Sequence, residues 1–287
     1  MDHKQYPNPT TYVISPEEGA EMARLIDQDE MITEAMGTLF PPGLDLLQVR
    51  DMLDVACGPG GWTRKIARQL PDVEVTGIDI SERMINYATA YSQIEHLENA
   101  HFLVCDVTKP LPHLDESFDL VNARGMLGFL HHSMWPNVIK EFARITRPGG
   151  FVVLTESDDF GHSNSEAFER YQQFILQAVA KSGLSQHPLG THWGATSMLR
   201  VHMRAAGYQP VQVIPYVVDY SAGTKANASV YANFSISHKL IQPFLIKAGV
   251  VTQEEIDELY EQCFLDMLSD DFSALWIFMT AWGYKIA

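Results

Sequence analysis

The sequence predicts an α/β protein: a mostly parallel sheet of seven strands with helices on both faces and a helical cap. Apolar runs at 52–57, 73–80, 101–106, 118–123 and 151–156 alternate with stretches of helical periodicity. Parallel neighbours need crossover helices, and strands covered on both faces read as near-continuous apolar runs, so five buried strands are expected. The first run, MLDVAC, stops in a turn of three glycines and a proline and feeds the helical run WTRKIARQL at once.

Each element follows in order. Residues 16–37 carry a proline at a helix-start position, acids in the first turns and Met22, Leu25 and Ile26 at helical spacing, which predicts an N-terminal helix. Helices are expected at 82–95 and 133–147, with PGG breaking the second before the strand FVVLTE. Beyond residue 156 the rhythm changes: helices at 164–182 and 195–207, a strand at 210–221, an entirely helical stretch over 227–270 and a last strand over 274–286. The 287 residues are read as one domain. In it, 1–40 is a lid helix, 41–156 a ligand-binding core, 157–194 and 223–272 a cap, and 195–222 with 273–287 complete the sheet. The extra helices are expected over the carboxyl ends of the strands, where ligands bind in open α/β sheets.

Composition narrows the chemistry. Thirty-six acidic residues against twenty basic give a formal charge of −16, a surface that repels nucleic-acid backbones. No apolar run approaches the ~18 residues of a membrane span. The opening MDHKQYPNPTTY lacks the basic-then-apolar layout of a signal peptide, so a cytoplasmic location is expected. Cys57, Cys105 and Cys263 are too scattered for a disulfide framework or a zinc site. The pair Asp158–Asp159 has no third ligand at a readable spacing, and no metal is expected.

The glycine turn limits the ligand. Gly58, Gly60 and Gly61 let the backbone approach a ligand closely, and the helix that follows offers N–H groups at its N-terminus. A dinucleotide fingerprint opened at Gly58 would need its last glycine where Thr63 stands. Asp54, four residues before Gly58, suits an adenosine-type ligand with a cationic amino-acid tail.

Here the sequence resembles the class I S-adenosylmethionine-dependent methyltransferases, whose first motif runs acidic-x-Gly-x-Gly-x-Gly; Ala56 replaces its first glycine. The resemblance covers roughly residues 50–156 well and the rest loosely. It implies a Rossmann-like sheet with an antiparallel last strand at 274–286, S-adenosylmethionine as cofactor and a small-molecule acceptor, and is closest to the ubiquinone/menaquinone-type and natural-product tailoring branches. Asp54, Ala56, Gly58 and Gly60 then shape the turn around the methionine end. Asp79, 25 residues after Asp54, ends the second strand and meets the ribose hydroxyls, a helix N-cap being the other reading. Asp106 accepts from the adenine amino group or forms a turn. Ile80 and Val107 sandwich the adenine or belong to the core, and Met84 is placed with them. Arg24 and Gln28, spaced i, i+4, resemble lid helices whose arginine pairs with the cofactor carboxylate; a solvated surface pair is the alternative. Asn122 and Arg124, after the fourth strand, line the junction of cofactor and acceptor, or Arg124 forms a structural salt bridge.

Methyl transfer from a sulfonium is an in-line displacement helped by alignment and water exclusion. Where the acceptor must lose a proton, His131, His132 and His192 are the candidate catalytic bases, with His162, Glu156 and Asp158 also near the expected mouth. His131 and His132 are read equally as helix-cap or surface residues. His192 and Trp193 are expected pocket residues. The aromatic content of the cap suits an apolar or aromatic acceptor, although most of it reads as packing core. Two other functions fit the fold: a cyclase or isomerase that retains S-adenosylmethionine, and a non-catalytic binding module. The oligomeric state is open, a homodimer being one outcome.

Overall fold

A computed structural model describes residues 12–14 and 19–286; the expected helix-start proline Pro16 lies outside them. The elements, in chain order, are α1 (Gly19–Met36), β1 (Asp51–Val55), α2 (Gly61–Gln69), β2 (Glu74–Asp79), α3 (Glu82–Ile94), β3 (Ala100–Val104) and β4 (Phe118–Arg124). There follow α4 (Trp135–Ile145), β5 (Thr146–Ser157), β6 (His162–Ser163), α5 (Glu166–Lys181), α6 (Ala195–Ala205), β7 (Gln212–Asp219), α7 (Asn227–Lys247), α8 (Gln253–Asp266) and β8 (Ala274–Tyr284).

The sheet runs β3-β2-β1-β4-β5-β8, with β7 on the far side of β8. The first five strands are parallel; β8 is antiparallel to both β5 and β7. The sheet has eight strands where seven are expected. The eighth, β6, is two residues long and pairs with Leu275 and Ala274 of β8, on the edge that β5 holds further along. It is an extension of β5 after a loop, too short to register as an apolar run. The expectation of five buried strands also needs correction: β3 is the sheet edge, and Leu103 and Val104 are about half exposed.

Strand alternation divides the core. Leu53 and Val55 face α4 and α6, whereas Met52 faces α2 on the opposite side. The helices match these faces: α2 buries Trp62, Ile66 and Ala67, and α4 buries Trp135, Val138, Ile139 and Phe142 at three- and four-residue spacing. A third core joins α1, α5, α7, α8 and the start of β8.

Serine and threonine caps set several helix starts: Ser81 accepts from Met84 N–H, Ser165 from Phe168 N–H and Thr252 from Glu255 N–H. The stretch 227–270 is two helices; Gly249 at φ 65° and the Thr252 cap break it. Residues 132–134 form a separate 3-10 turn before α4.

Candidate active site

The carboxyl ends of β1, β2, β4 and β5 open into a cavity of about 460 Å³, closed from the other side by residues of α1 and α7. One end of it is built by the glycine turn and two strand-terminal acids. Ala56, Gly58 and Gly60 all have positive φ (54°, 53° and 75°). An alanine in this region costs roughly 1–2 kcal/mol, which a glycine would avoid. Gly58 lines the cavity and faces Leu25 of α1. Gly60 does not: a Cβ there would stand 2.7 Å from Phe102 Cε1 and 2.8 Å from Ala88 Cβ. Gly60 therefore lets the turn sit on α3 and β3, a correction to its placement as a residue facing the ligand.

Asp54 is buried at the floor of the turn, accepting from Thr63 Oγ1 and Asn122 Nδ2, both at 2.8 Å. Burial pushes its pKa up to about 6, against the lowering influence of Arg124 and of the two hydrogen bonds. Asn122 does not reach the cavity wall; it holds Asp54 in place. Asp79 accepts from the Gly58 N–H and the Ser81 N–H, both at 2.9 Å, so it ties the turn to the start of α3 while lining the cavity. The cap of α3 is Ser81, not Asp79. Asp106 lines the cavity and also makes a turn, accepting from Thr108 N–H at 2.9 Å and Thr108 Oγ1 at 2.6 Å. Ile80, Met84 and Val107 line the same end, Ile80 half exposed and the other two buried.

Arg24 and Gln28 do line the cavity, and the solvated surface pair does not describe their surroundings. Arg24 is buried, not solvated, and its guanidinium is paired with Glu21 at 2.6 Å. It also donates to Gln28 Oε1 and, at 3.2 Å, to Asn233 Oδ1 of α7, while Tyr12 donates to Glu21 at 2.8 Å. A solvated pair on α1 would leave that helix unattached; this network fastens it to α7. Arg124 pairs with Asp29 of α1, which Lys65 of α2 also contacts at 2.7 Å. Burial opposes the Asp29 charge, yet Arg124 and Lys65 hold its pKa below the usual carboxylate range. Sequence reasoning missed Asp29; the signal available was its position four residues after Leu25 on the inward face of α1.

The other end of the cavity is apolar. Phe160, Ile175, Trp193, Ile241, Trp276 and Phe278 line it, together with His238 of α7. Glu156, at the end of β5, stands between the two ends, accepting from the Met126 N–H at 2.9 Å and the Leu127 N–H at 3.2 Å. Burial pushes its pKa up to about 8 despite those two bonds. His238 had no sequence signal, because α7 is apolar around most of its circumference.

None of the three histidines expected as bases lines the cavity. His131 caps the 3-10 turn, accepting from Ser133 N–H at 3.3 Å and packing beside Gly183, and His132 is exposed. His192 lies 3.7 Å from Asp158 and stacks on His187, while its neighbour Trp193 alone turns inward. Chain neighbours point in different directions off a loop, which spacing cannot reveal. Asp158 is occupied by Thr196, and Asp159 by the Gly161 N–H, so this pair diverges.

Comparison with known proteins agrees with this geometry. Residues 52–150 match the family described as a methyltransferase domain. The chain is 31% identical over 181 residues to the demethylmenaquinone methyltransferase of Geobacillus stearothermophilus, covering 59% of this chain and 75% of that protein. Among solved structures, a phosphoethanolamine N-methyltransferase of Haemonchus contortus in complex with S-adenosylhomocysteine has the same fold (TM-score 0.55, 18% identity, 98% of this chain and 62% of that one). The [4+2]-cyclase SpnF also shares it (TM-score 0.51, 17% identity, 98% and 100%). No helix among the described residues is long and apolar enough to cross a membrane. With the relative of 31% identity, the glycine turn after β1 and the acid at the end of β2, the chain belongs to the class I S-adenosylmethionine-dependent methyltransferases, enzymes whose cofactor is S-adenosylmethionine.

Proposed function

We propose that this enzyme transfers the methyl group of S-adenosylmethionine to an O, N or C atom of a small, largely apolar or aromatic acceptor. The observation that carries this is the two-ended cavity: strand-terminal carboxylates and a glycine turn at one end, an aromatic chamber at the other. The bound cofactor supplies an electrophilic methyl group on a sulfonium.

The chain's own residues would hold it as follows. Asp79 accepts from the ribose hydroxyls, Asp106 from the adenine amino group, and Ile80, Met84 and Val107 enclose the base. The turn from Ala56 to Gly58 gives room to the methionine end, with Asp54 fixed beneath it by Asn122. Arg24, Gln28 and Arg124 supply donors near the carboxylate of that end, and Asp29 is an acid close to its ammonium. Because Arg24 and Arg124 already have acidic partners, carboxylate binding there requires sharing or exchanging them. The α1 network supports residues 1–40 acting as a lid over a core at 41–156, with 157–194 and 223–272 as the cap and the remaining segments completing the sheet.

Alignment and water exclusion supply much of the rate, with remote binding energy holding the acceptor in line. Glu156, kept protonated at neutral pH by burial, becomes available to take an acceptor proton as pH rises through about 8. His131, His132 and His192 would act only if the loops carrying them moved inward. The test is a metabolite-library screen by mass: a product heavier by one methylene unit, formed with S-adenosylhomocysteine only when an acceptor is present, supports the reading. A product of unchanged mass with the cofactor retained means the cyclase alternative instead.

A further inference from the structure

Two ring nitrogens in the aromatic chamber are buried without a hydrogen-bond partner: Trp193 Nε1 and His238 Nε2. Buried polar atoms are normally paired, because an unmade bond leaves the desolvation cost uncompensated. The neighbouring Trp276 shows the ordinary arrangement, its Nε1 donating to the Asp159 carbonyl at 2.7 Å. Trp193 and His238 both line the cavity and share Phe160 as a wall, at ring separations of 5.8 and 5.7 Å. Their backbones are fixed: Trp193 N–H donates to the Asp158 carbonyl at 3.0 Å, and Tyr171 donates to the His238 carbonyl at 2.5 Å.

The two nitrogens have opposite chemistry. An indole N–H only donates. Burial lowers the His238 pKa to about 3, so the ring is neutral; its Nδ1 faces Ser237 Oγ at 3.4 Å, and the tautomer with the proton on Nδ1, towards the Phe234 carbonyl one turn earlier on α7, leaves Nε2 with a lone pair. The walls around His238 are flat: Tyr171, Phe234 and Phe168 stand 4.6, 5.2 and 6.0 Å from it.

We propose that Trp193 and His238 are the specificity pair for the acceptor, and that the acceptor is a flat, conjugated molecule of the phenol or enol class. Its hydroxyl donates to His238 Nε2 and its oxygen accepts from Trp193 Nε1, while the rings around them grip its faces. A site built to bond a hydroxyl rejects the analogue that lacks it, since its own polar atoms then stay unpaired. This assignment rests on the methyl-transfer reading of the same cavity.

The test uses the full chain saturated with S-adenosylhomocysteine and three probes: 1-naphthol, which donates and accepts, 1-methoxynaphthalene, which only accepts, and naphthalene, which does neither. Calorimetry is expected to show affinity falling about tenfold at each step, one neutral hydrogen bond at a time. His238→Phe should erase the first step alone and Trp193→Phe the second alone, and His238→Gln should keep part of the first. In the wild type, 1-naphthol should shift the imidazole nitrogen resonance of His238, a readout that needs no variant to fold. Equal affinity for the three probes, steps that survive both variants, or an unmoved His238 resonance overturns the pair. Wild-type protein that fails to bind S-adenosylhomocysteine overturns the underlying reading instead, which is why that binding is measured first.

Discussion

The two ends of the cavity are built on different physical principles. At the glycine-turn end almost every charged group already has a protein partner: Asp54 with Thr63 and Asn122, Asp79 with two backbone N–H groups, Arg24 with Glu21, and Asp29 with Lys65 and Arg124. The aromatic end is held by ring packing, and its polar atoms Trp193 Nε1 and His238 Nε2 have no partner. A site for a constant, charged ligand can be pre-organised by main-chain geometry, since the same atoms are needed every time. A site that distinguishes acceptors gains selectivity by leaving polar atoms for the right molecule to satisfy.

The comparison can be broken most severely at Gly60. Valine there must adopt φ near 75° and displace Phe102 and Ala88, a loss of about 2–5 kcal/mol when left-handed strain and overpacking are combined. Thermal denaturation should show it; a variant of unchanged stability that still loses the cofactor would put Gly60 on the ligand side after all.

Glu156 tests the junction between the ends. Its folded pKa, near 8, lies above the unfolded value of 4.5, so its contribution is complete below pH 4.5 and is lost as pH rises through 8. Denaturant titrations between pH 5 and pH 8 should cost the wild type about 3 kcal/mol relative to Glu156→Gln, at 1.36 kcal/mol per pH unit. Parallel stability curves for the two proteins would mean that Glu156 is not held neutral.

Asp79→Ala addresses the pre-organised end alone. Losing one or two bonds to a charged acceptor should weaken S-adenosylhomocysteine binding by about 1.5–3 kcal/mol each at most. Calorimetry giving wild-type affinity would refute the ribose assignment and leave Asp79 as a turn anchor. The smallest effects belong outside both ends: alanine at His132 or His192 should change stability by no more than about 0.5 kcal/mol, and at His131, which caps the 3-10 turn, by about 1 kcal/mol. Turnover across pH should stay near wild type in all three, and a lost acidic limb in any one would restore it as a base.

Much of the sheet was legible because its strands are apolar runs with a period of two or none, bounded by turns. The reading erred where a signal depended on neighbours: β3 is apolar yet lies on the edge, β6 is too short to have a period, and the break at Gly249 hides in a long apolar stretch. At the site, Asp54, Gly58, Asp79 and Asp106 could be located because each occupies or follows the end of a strand, and parallel pairing brings strand ends together. Asn122 and Gly60 lie equally close in sequence but do not reach the cavity wall, Asn122 because it sits behind Asp54 and Gly60 because it packs on Phe102 and Ala88.

By itself the sequence determined the order of strands and helices, the glycine turn and the acids at the ends of β1 and β2, because these follow from local periodicity and backbone freedom. Only the tertiary structure decided that Asp29 meets Arg124 across 95 residues, that Arg24 is buried against α7, and that His238 rather than His131, His132 or His192 stands in the aromatic chamber. Those contacts join segments far apart in the chain. Their partners are chosen by how the packed helices close over the sheet, which no local pattern encodes.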